Sequence, residues 1–278
     1  MKKNKLKGIQ FTKMSGAGND FVVIDNFNGK LKLSAEQIVK ICRRKFGIDA
    51  DGIILLEKIK GADFYMRFYN NDGSEASMCG NGARCIARFA YVKGYVKDKI
   101  HFMAKDGPHY AEIKKNGDVK LQMINPHTLQ LNIKVKVDGG EFKGGFVNTG
   151  VPHFVTEVKE LDKFDAVKFG NRIRFHKQFA PNGTNAMFVE KAGVNKYKIR
   201  SYERGVEDET LACGTGATAA GVIMNAYGKA VSPVTFEAPG GTLKISFKYR
   251  DGKYTDVFLE GSADIVAEGI ISETVYKQ

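Results

Sequence analysis

The chain has 278 residues, 43% hydrophobic and 27% charged, with 43 Lys+Arg against 31 Asp+Glu for a formal net charge of +12. That composition supplies a real core for one large domain or two ordinary ones, and no apolar run approaches the roughly 20 residues that cross a bilayer. The basic excess admits nucleic acid or anionic metabolites as partners. The lysines, however, are scattered through strand-like and turn segments, such as Lys114, Lys115 and Lys120, with no zinc-finger spacing, RNP motif or basic amphipathic helix. The expectation is no nucleic-acid partner and no membrane. The N-terminus is basic but lacks a signal peptide's apolar stretch, so residues 1 to 7 read as a short solvated tail and the cytoplasm is the expected compartment. Cys42, Cys79, Cys85 and Cys213 form no C-x-x-C pair and the five histidines are dispersed, which argues against a metal site or a disulfide framework.

In chain order, Gly8 to Lys13 alternates as a short strand, Gly16 to Asp20 is a loop, and Phe21 to Asp25 is a buried strand. The Gly-x-Gly at Gly16 lacks the third glycine and the following helix of a dinucleotide site. Ser34 with Gln37 makes a capping box for a helix expected to end near Phe46, with Gly47 as its stop. Asp51 to Lys58 and Ala62 to Tyr69 read as strands, and Asn70 to Ser74 as a polar turn. Then comes Cys79-Gly80-Asn81-Gly82, opening a helix whose only clear charges are Arg84 and Arg88, with Gly94 as a left-handed cap. The first turn of such a helix directs unpaired N–H groups outward and favours an anion. A thiol there, as at Cys79, can ionise below its ordinary range. Short strands follow at Ile100 to Ala104, His109 to Lys114 and Val119 to Ile124, before the punctuation of Asn125-Pro126.

Beyond that point the pattern returns. Arg200-Ser201-Tyr202-Glu203 leads to Cys213-Gly214-Thr215-Gly216, as Arg67-Phe68-Tyr69-Asn70 leads to Cys79-Gly80-Asn81-Gly82. The offset is 133 residues between the arginines (200 − 67) and 134 between the cysteines (213 − 79). Asp20-Phe21-Val22 and His153-Phe154-Val155 repeat it. The expected fold is therefore α+β, a mixed α/β chain of two pseudo-symmetric domains, each a curved β-sheet wrapped around a central helix. The halves are 1–125, with 268–278 a candidate completion, and 126–267.

Related halves tend to pack about a pseudo-twofold axis, which would bring two Cys-Gly-x-Gly helix mouths to one interdomain cleft. Inverting a stereocentre beside a carboxylate needs proton removal from one face and delivery to the other. One thiolate and one thiol can do both, while the helix N-termini hold the carboxylate. The same cysteines could instead form a redox or disulfide pair, or the glycine turns could simply start two buried helices.

Lys13 to Phe21, Asn70 to Glu75, Met78 to Cys85 and Tyr202 to Gly216 together resemble the diaminopimelate epimerase family, and the likeness runs from Phe11 to about Glu260. The resemblance implies a cofactor-independent enzyme, usually a homodimer, that interconverts LL- and meso-2,6-diaminopimelate for lysine and peptidoglycan synthesis. It implies Cys79 and Cys213 as the acid–base pair and Gly80, Asn81, Gly214 and Thr215 as holders of the reacting α-carboxylate. It further implies that Asn19, Asn70, Asn185 and Arg204 recognise the distal amino-acid end, and that Glu203 contacts the substrate ammonium. Glu203 and His153 would tune the cysteines. The chain departs from the family at Val151, where many members have Asn, and at Asp49, where many have Gly. Those departures keep open another pyridoxal-independent amino-acid racemase or epimerase on the same scaffold.

Overall fold

The structure is a computed structural model that describes residues 7–277; most of the tail expected at residues 1 to 7 lies outside the described residues. The chain divides into two compact units, Met1–Leu121 with Ser262–Gln278, and Gln122–Gly261. The first unit runs β1 (Gly8–Gly16), β2 (Asn19–Asn26), α1 (Ala35–Cys42), β3 (Gly52–Glu57), β4 (Phe64–Asn70), β5 (Glu75–Ala76), α2 (Gly80–Val92), β6 (Lys99–Ala104), β7 (Gly107–Ile113) and β8 (Val119–Gln122). The second runs β9 (His127–Val137), β10 (Gly140–Asn148), β11 (Pro152–Glu157), α3 (Ala166–Arg174), β12 (Asn185–Gly193), β13 (Lys196–Glu203), β14 (Asp208–Thr210), α4 (Gly214–Ala226), β15 (Val234–Ala238), β16 (Gly241–Arg250) and β17 (Lys253–Gly261). The closing β18 (Asp264–Ser272) and α5 (Glu273–Tyr276) belong with the first unit.

The two units repeat one pairing scheme. In the first, β1 and β2 pair antiparallel, β2 and β3 parallel, β3 and β4 antiparallel, and β4 takes β5 antiparallel and β6 parallel. In the second, β10 to β15 repeat each of those pairings with the same sense. The sheet's open edge at β1 is covered antiparallel by β18, and that at β10 by β9. The repeat extends to side chains: Arg67 bridges Glu57 and Glu75, and Arg200 forks onto Glu209.

Each unit closes its sheet around one helix. α2 packs on β1, β2, β3, β4 and β7, and α4 on β10, β11, β12, β16 and β17. Glycine and alanine along both helices let the strands come close: a Cβ at Gly82 would lie 2.9 Å from Ile54 Cδ1, and one at Gly216 would lie 2.3 Å from Met187 Sδ. Both helices stop the same way. Gly94 donates to the Tyr91 carbonyl and Tyr95 to Ala90, as Gly228 donates to Asn225 and Lys229 to Met224. Those paired bonds are the glycine-capped helix end, with φ of 79° and 69° at the two glycines.

The opening helix is shorter than its sequence suggests. The Ser34–Gln37 capping box forms, but α1 ends at Cys42 because Arg43 is extended, and Phe46 is left exposed. Gly47 is not a helix stop. It lies across the helix end, where a Cβ would sit 2.3 Å from the Ile41 carbonyl oxygen.

Gly94→Ala and Gly228→Ala meet open space, so their cost is the left-handed backbone alone, about 1 kcal/mol each. Urea denaturation should show that loss. Turnover should be unchanged, because both caps end helices whose opposite ends carry the cysteines.

Candidate active site

Cys79 and Cys213 are the N-cap residues of α2 and α4. Both have extended backbones, with φ −131° and −110°, and neither side chain caps its helix. Each helix opens on three residues whose N–H groups have no carbonyl one turn back. The helices proper begin with the bonds from Ala83 N–H to the Cys79 carbonyl and from Ala217 N–H to Cys213.

At the first mouth, Asn19 Oδ1 lies 3.4 Å from Cys79 Sγ and 3.4 Å from Asn81 Nδ2. The Asn19 amide in turn donates to Asp51 Oδ2, which also receives the Asp20 N–H at 3.0 Å. Asp51 sits at the end of the Gly47–Asp51 turn, where Asp49 adopts φ 59°. A glycine takes that left-handed backbone without strain, and aspartate is among the few other residues that tolerate it. Asn70 is placed differently from the rest. Its side chain donates to Ser74 Oγ at 3.1 Å and holds the Asn70–Ser74 turn.

The second mouth is more enclosed. Cys213 is 4% exposed, with Thr215 Oγ1 at 3.5 Å and the Gly216 N–H and Glu203 carboxyl as further hydrogen-bond partners. Burial, and then the neighbouring Glu203 carboxylate, push this thiol well above its usual range. Burial likewise raises Glu203, against the opposing hydrogen bonds of Thr210 and Cys213. Thr149 Oγ1 donates to the Thr215 carbonyl at 2.9 Å and secures the first turn of α4. Asn185 Oδ1 accepts the Arg204 N–H at 2.6 Å, and the Arg204 guanidinium donates to the Asn182 carbonyl at 3.0 Å. His153, the ladder partner of Asn185, is fully buried, and neither ring nitrogen has a hydrogen-bond partner among the described residues. Burial and the Arg204 charge lower its pKa to about 3, so the ring is neutral at any working pH.

Each half thus gathers its own subset: Asn19, Cys79, Gly80 and Asn81 in one, and His153, Asn185, Glu203, Arg204, Cys213, Gly214 and Thr215 in the other. The remaining thiols lie apart from these two subsets. Burial pushes Cys42 and Cys85 up to about 12. Sequence reasoning gave no role to Asp51, Thr149, Thr210 and above all Arg84, which is wholly buried. Its signal was positional, a charge inside the apolar circumference one turn from Gly80.

Solved structures share this duplicated fold. A phenazine biosynthesis protein of the PhzF family from Bacillus anthracis superposes with a TM-score of 0.74 at 16% identity, covering 95% of this chain and 99% of that one. A probable proline racemase from Agrobacterium radiobacter K84 gives 0.68 at 15%, covering 95% and 93%. The fold class is the one these structures share with the chain. Sequence narrows it. The diaminopimelate epimerase family profile matches residues 11–129 and 145–266. Diaminopimelate epimerases of Hydrogenobaculum sp. (strain Y04AAS1) and Aquifex aeolicus are each 44% identical, covering 95% and 96% of this chain and 99% of their own lengths. The diaminopimelate epimerase of Archaeoglobus fulgidus is 39% identical over 95% of the chain and 96% of its own length. The chain belongs to the diaminopimelate epimerase family, and the enzyme is an isomerase. No helix among the described residues is long and apolar enough to cross a membrane.

The His153 ring makes a pH prediction. Its folded pKa of about 3 lies below the unfolded value of roughly 6.5, so between these limits the unfolded chain binds a proton that the folded chain does not. Stability then falls as pH drops through that window, by up to about 1.4 kcal/mol per pH unit from this residue. Urea midpoints at pH 7 to 4 should fall less steeply for His153→Asn than for the parent. Parallel curves would mean that the folded protein protonates the ring in place.

Proposed function

We propose that the protein interconverts LL- and meso-2,6-diaminopimelate by two-base proton transfer, with Cys79 and Cys213 as the acid–base pair. The observation that carries this reading is the recurrence of one device, a cysteine at the N-cap of a buried Gly-x-Gly helix, in both halves of a chain of this family. One sulfur, as thiolate, removes the α-proton. The other, as thiol, delivers its proton to the opposite face of the carbanion, and the two sulfurs exchange protonation states in each turnover. Negative charge that develops on the α-carboxylate falls to the N–H groups of Gly80, Asn81, Gly214 and Thr215. No other group is needed to carry the proton.

The remaining polar residues suit the distal amino-acid end. Arg204 offers a forked donor to a carboxylate. Asn19, Asn70 and Asn185 offer amides, and Glu203 a carboxylate for the ammonium. Glu203 also hydrogen-bonds Cys213 and so tunes that thiol. His153 holds a neutral ring with unused nitrogens on β11, a strand that packs against that thiol's helix. The compartment this chemistry suits is the cytoplasm, where thiols stay reduced. The assembly we assign is a homodimer, to which the exposed Ile265, Val266 and Ile270 of β18 would contribute apolar surface.

Incubation with LL-diaminopimelate in deuterated water under reducing conditions should yield the meso isomer labelled at one α-carbon. Cys79→Ala and Cys213→Ala should each lower kcat by about a hundredfold or more. Absence of interconversion by the reduced protein would overturn the proposal. Val151 favours a second reading, an amino-acid epimerase with a different distal group, and Arg204→Ala separates the two. It should raise KM for diaminopimelate by about tenfold or more as a charged hydrogen bond is lost. An unchanged KM would favour the second reading.

A further inference from the structure

Arg84 is the fifth residue of α2, and Thr218 is the fifth residue of α4. Both are wholly buried and both serve the same backbone carbonyl one turn earlier. Thr218 Oγ1 donates to the Gly214 carbonyl at 2.9 Å, and Arg84 Nη1 to Gly80 at 3.4 Å. A threonine is therefore sufficient for the structural task, and at lower cost. A buried guanidinium is expensive unless paired, and among the described residues no carboxylate lies within ion-pair distance of Arg84. Its other bonds are Nε to the Ser262 carbonyl at 3.2 Å and Nη2 to Asn81 Oδ1 at 3.0 Å. What the arginine adds at the mouth is the second of these.

The two halves differ at the same place in what needs orienting. In the second, the residue after the first glycine is Thr215, whose hydroxyl rotates to suit either a donor or an acceptor. In the first it is Asn81, whose amide has two distinct ends. A guanidinium is donor-only, so it compels Asn81 to present Oδ1 inward and Nδ2 outward. Nδ2 then meets Asn19 Oδ1, the same oxygen that faces Cys79 Sγ. At the far end Asp51 is acceptor-only and takes the Asn19 amide donor. The run Arg84–Asn81–Asn19–Asp51 has one polarity, set by a cation at one end and an anion at the other. A flipped Asn81 would set two carbonyl oxygens against each other and displace the one at Cys79.

We infer that Arg84 is a positioning residue of the first half-site: it fixes the Asn81 amide and, through it, the Asn19 oxygen that seats the Cys79 sulfur. The inference rests on the proposed role of Cys79 for its kinetic consequence, while the side-chain relay itself does not. Arg84 acts through Asn81, so its substitution should be non-additive with that of Asn81.

The test is a double-mutant cycle of Arg84→Met and Asn81→Ala, read in two ways. With LL-diaminopimelate, Arg84→Met should lower kcat/KM by about tenfold, with a rise in KM, and should cost less than about twofold more when Asn81 is already alanine. Without substrate, the rate of Cys79 alkylation by iodoacetamide, followed by peptide mass spectrometry, should change by about fivefold or more in Arg84→Met and show the same non-additivity. Arg84→Lys, which keeps a donor-only head, should recover part of both, and it carries the test if the methionine variant does not fold. Additive effects, or a loss of kcat with KM and alkylation unchanged, would overturn the inference and leave Arg84 a purely structural residue. Failure of the substrate reading alone would abolish the first readout in the parent protein and leave the second intact.

Discussion

The whole arrangement depends on burying a helix so tightly that only its open end remains chemically available. A peptide helix satisfies its own interior, and the four N–H groups of its first turn are the exception. Surrounding α2 and α4 with strands leaves those groups, and the cysteine before them, as the polar feature of each unit. The tight fit is what gives the mouths fixed coordinates. With Ile54 and Met187 pressed against glycines in the first turn, neither helix can slide without overlap. A close-packed interior transmits such constraints and does not absorb them.

On this shared scaffold the halves have diverged electrostatically. The first mouth lies over a buried guanidinium and beside a relay that ends in Asp51. The second has a threonine in the guanidinium's place and a buried carboxyl, Glu203, at the sulfur. A pair that must trade protonation states does not need identical members. In the proposed reaction each thiol would ionise in turn, and each would do so in its own surroundings: Asn19 faces Cys79, and Thr215 and Glu203 face Cys213.

Much of this was legible in the sequence because duplication is a strong signal. The matched Arg67 and Arg200, the matched cysteines and the glycine stops at Gly94 and Gly228 each recur in the structure at equivalent places. Local chemistry was legible too, as in the Ser34–Gln37 capping box. The parts that escaped were set by tertiary context. Gly47 looked like a helix end but serves a close crossing of chain on chain. Arg84 stood out in the sequence only as a charge on an apolar helix, and the surrounding strands are what make it core. The bond by which the Asn70 side chain braces its own turn also escaped, since spacing does not show which partners a turn asparagine takes.

The antiparallel closure of β1 by β18, from Gly8 opposite Ser272 to Ser15 opposite Asp264, bears on how the chain is made. The unit that holds the first cysteine takes its last strand from the segment that follows the second unit, whereas the second unit is one continuous stretch. During synthesis the later-encoded half therefore has all its strands first. The earlier half must wait with an unpaired edge at β1, the kind of edge that invites wrong partners. Completion of the first unit thus waits on a strand encoded after the whole of the second.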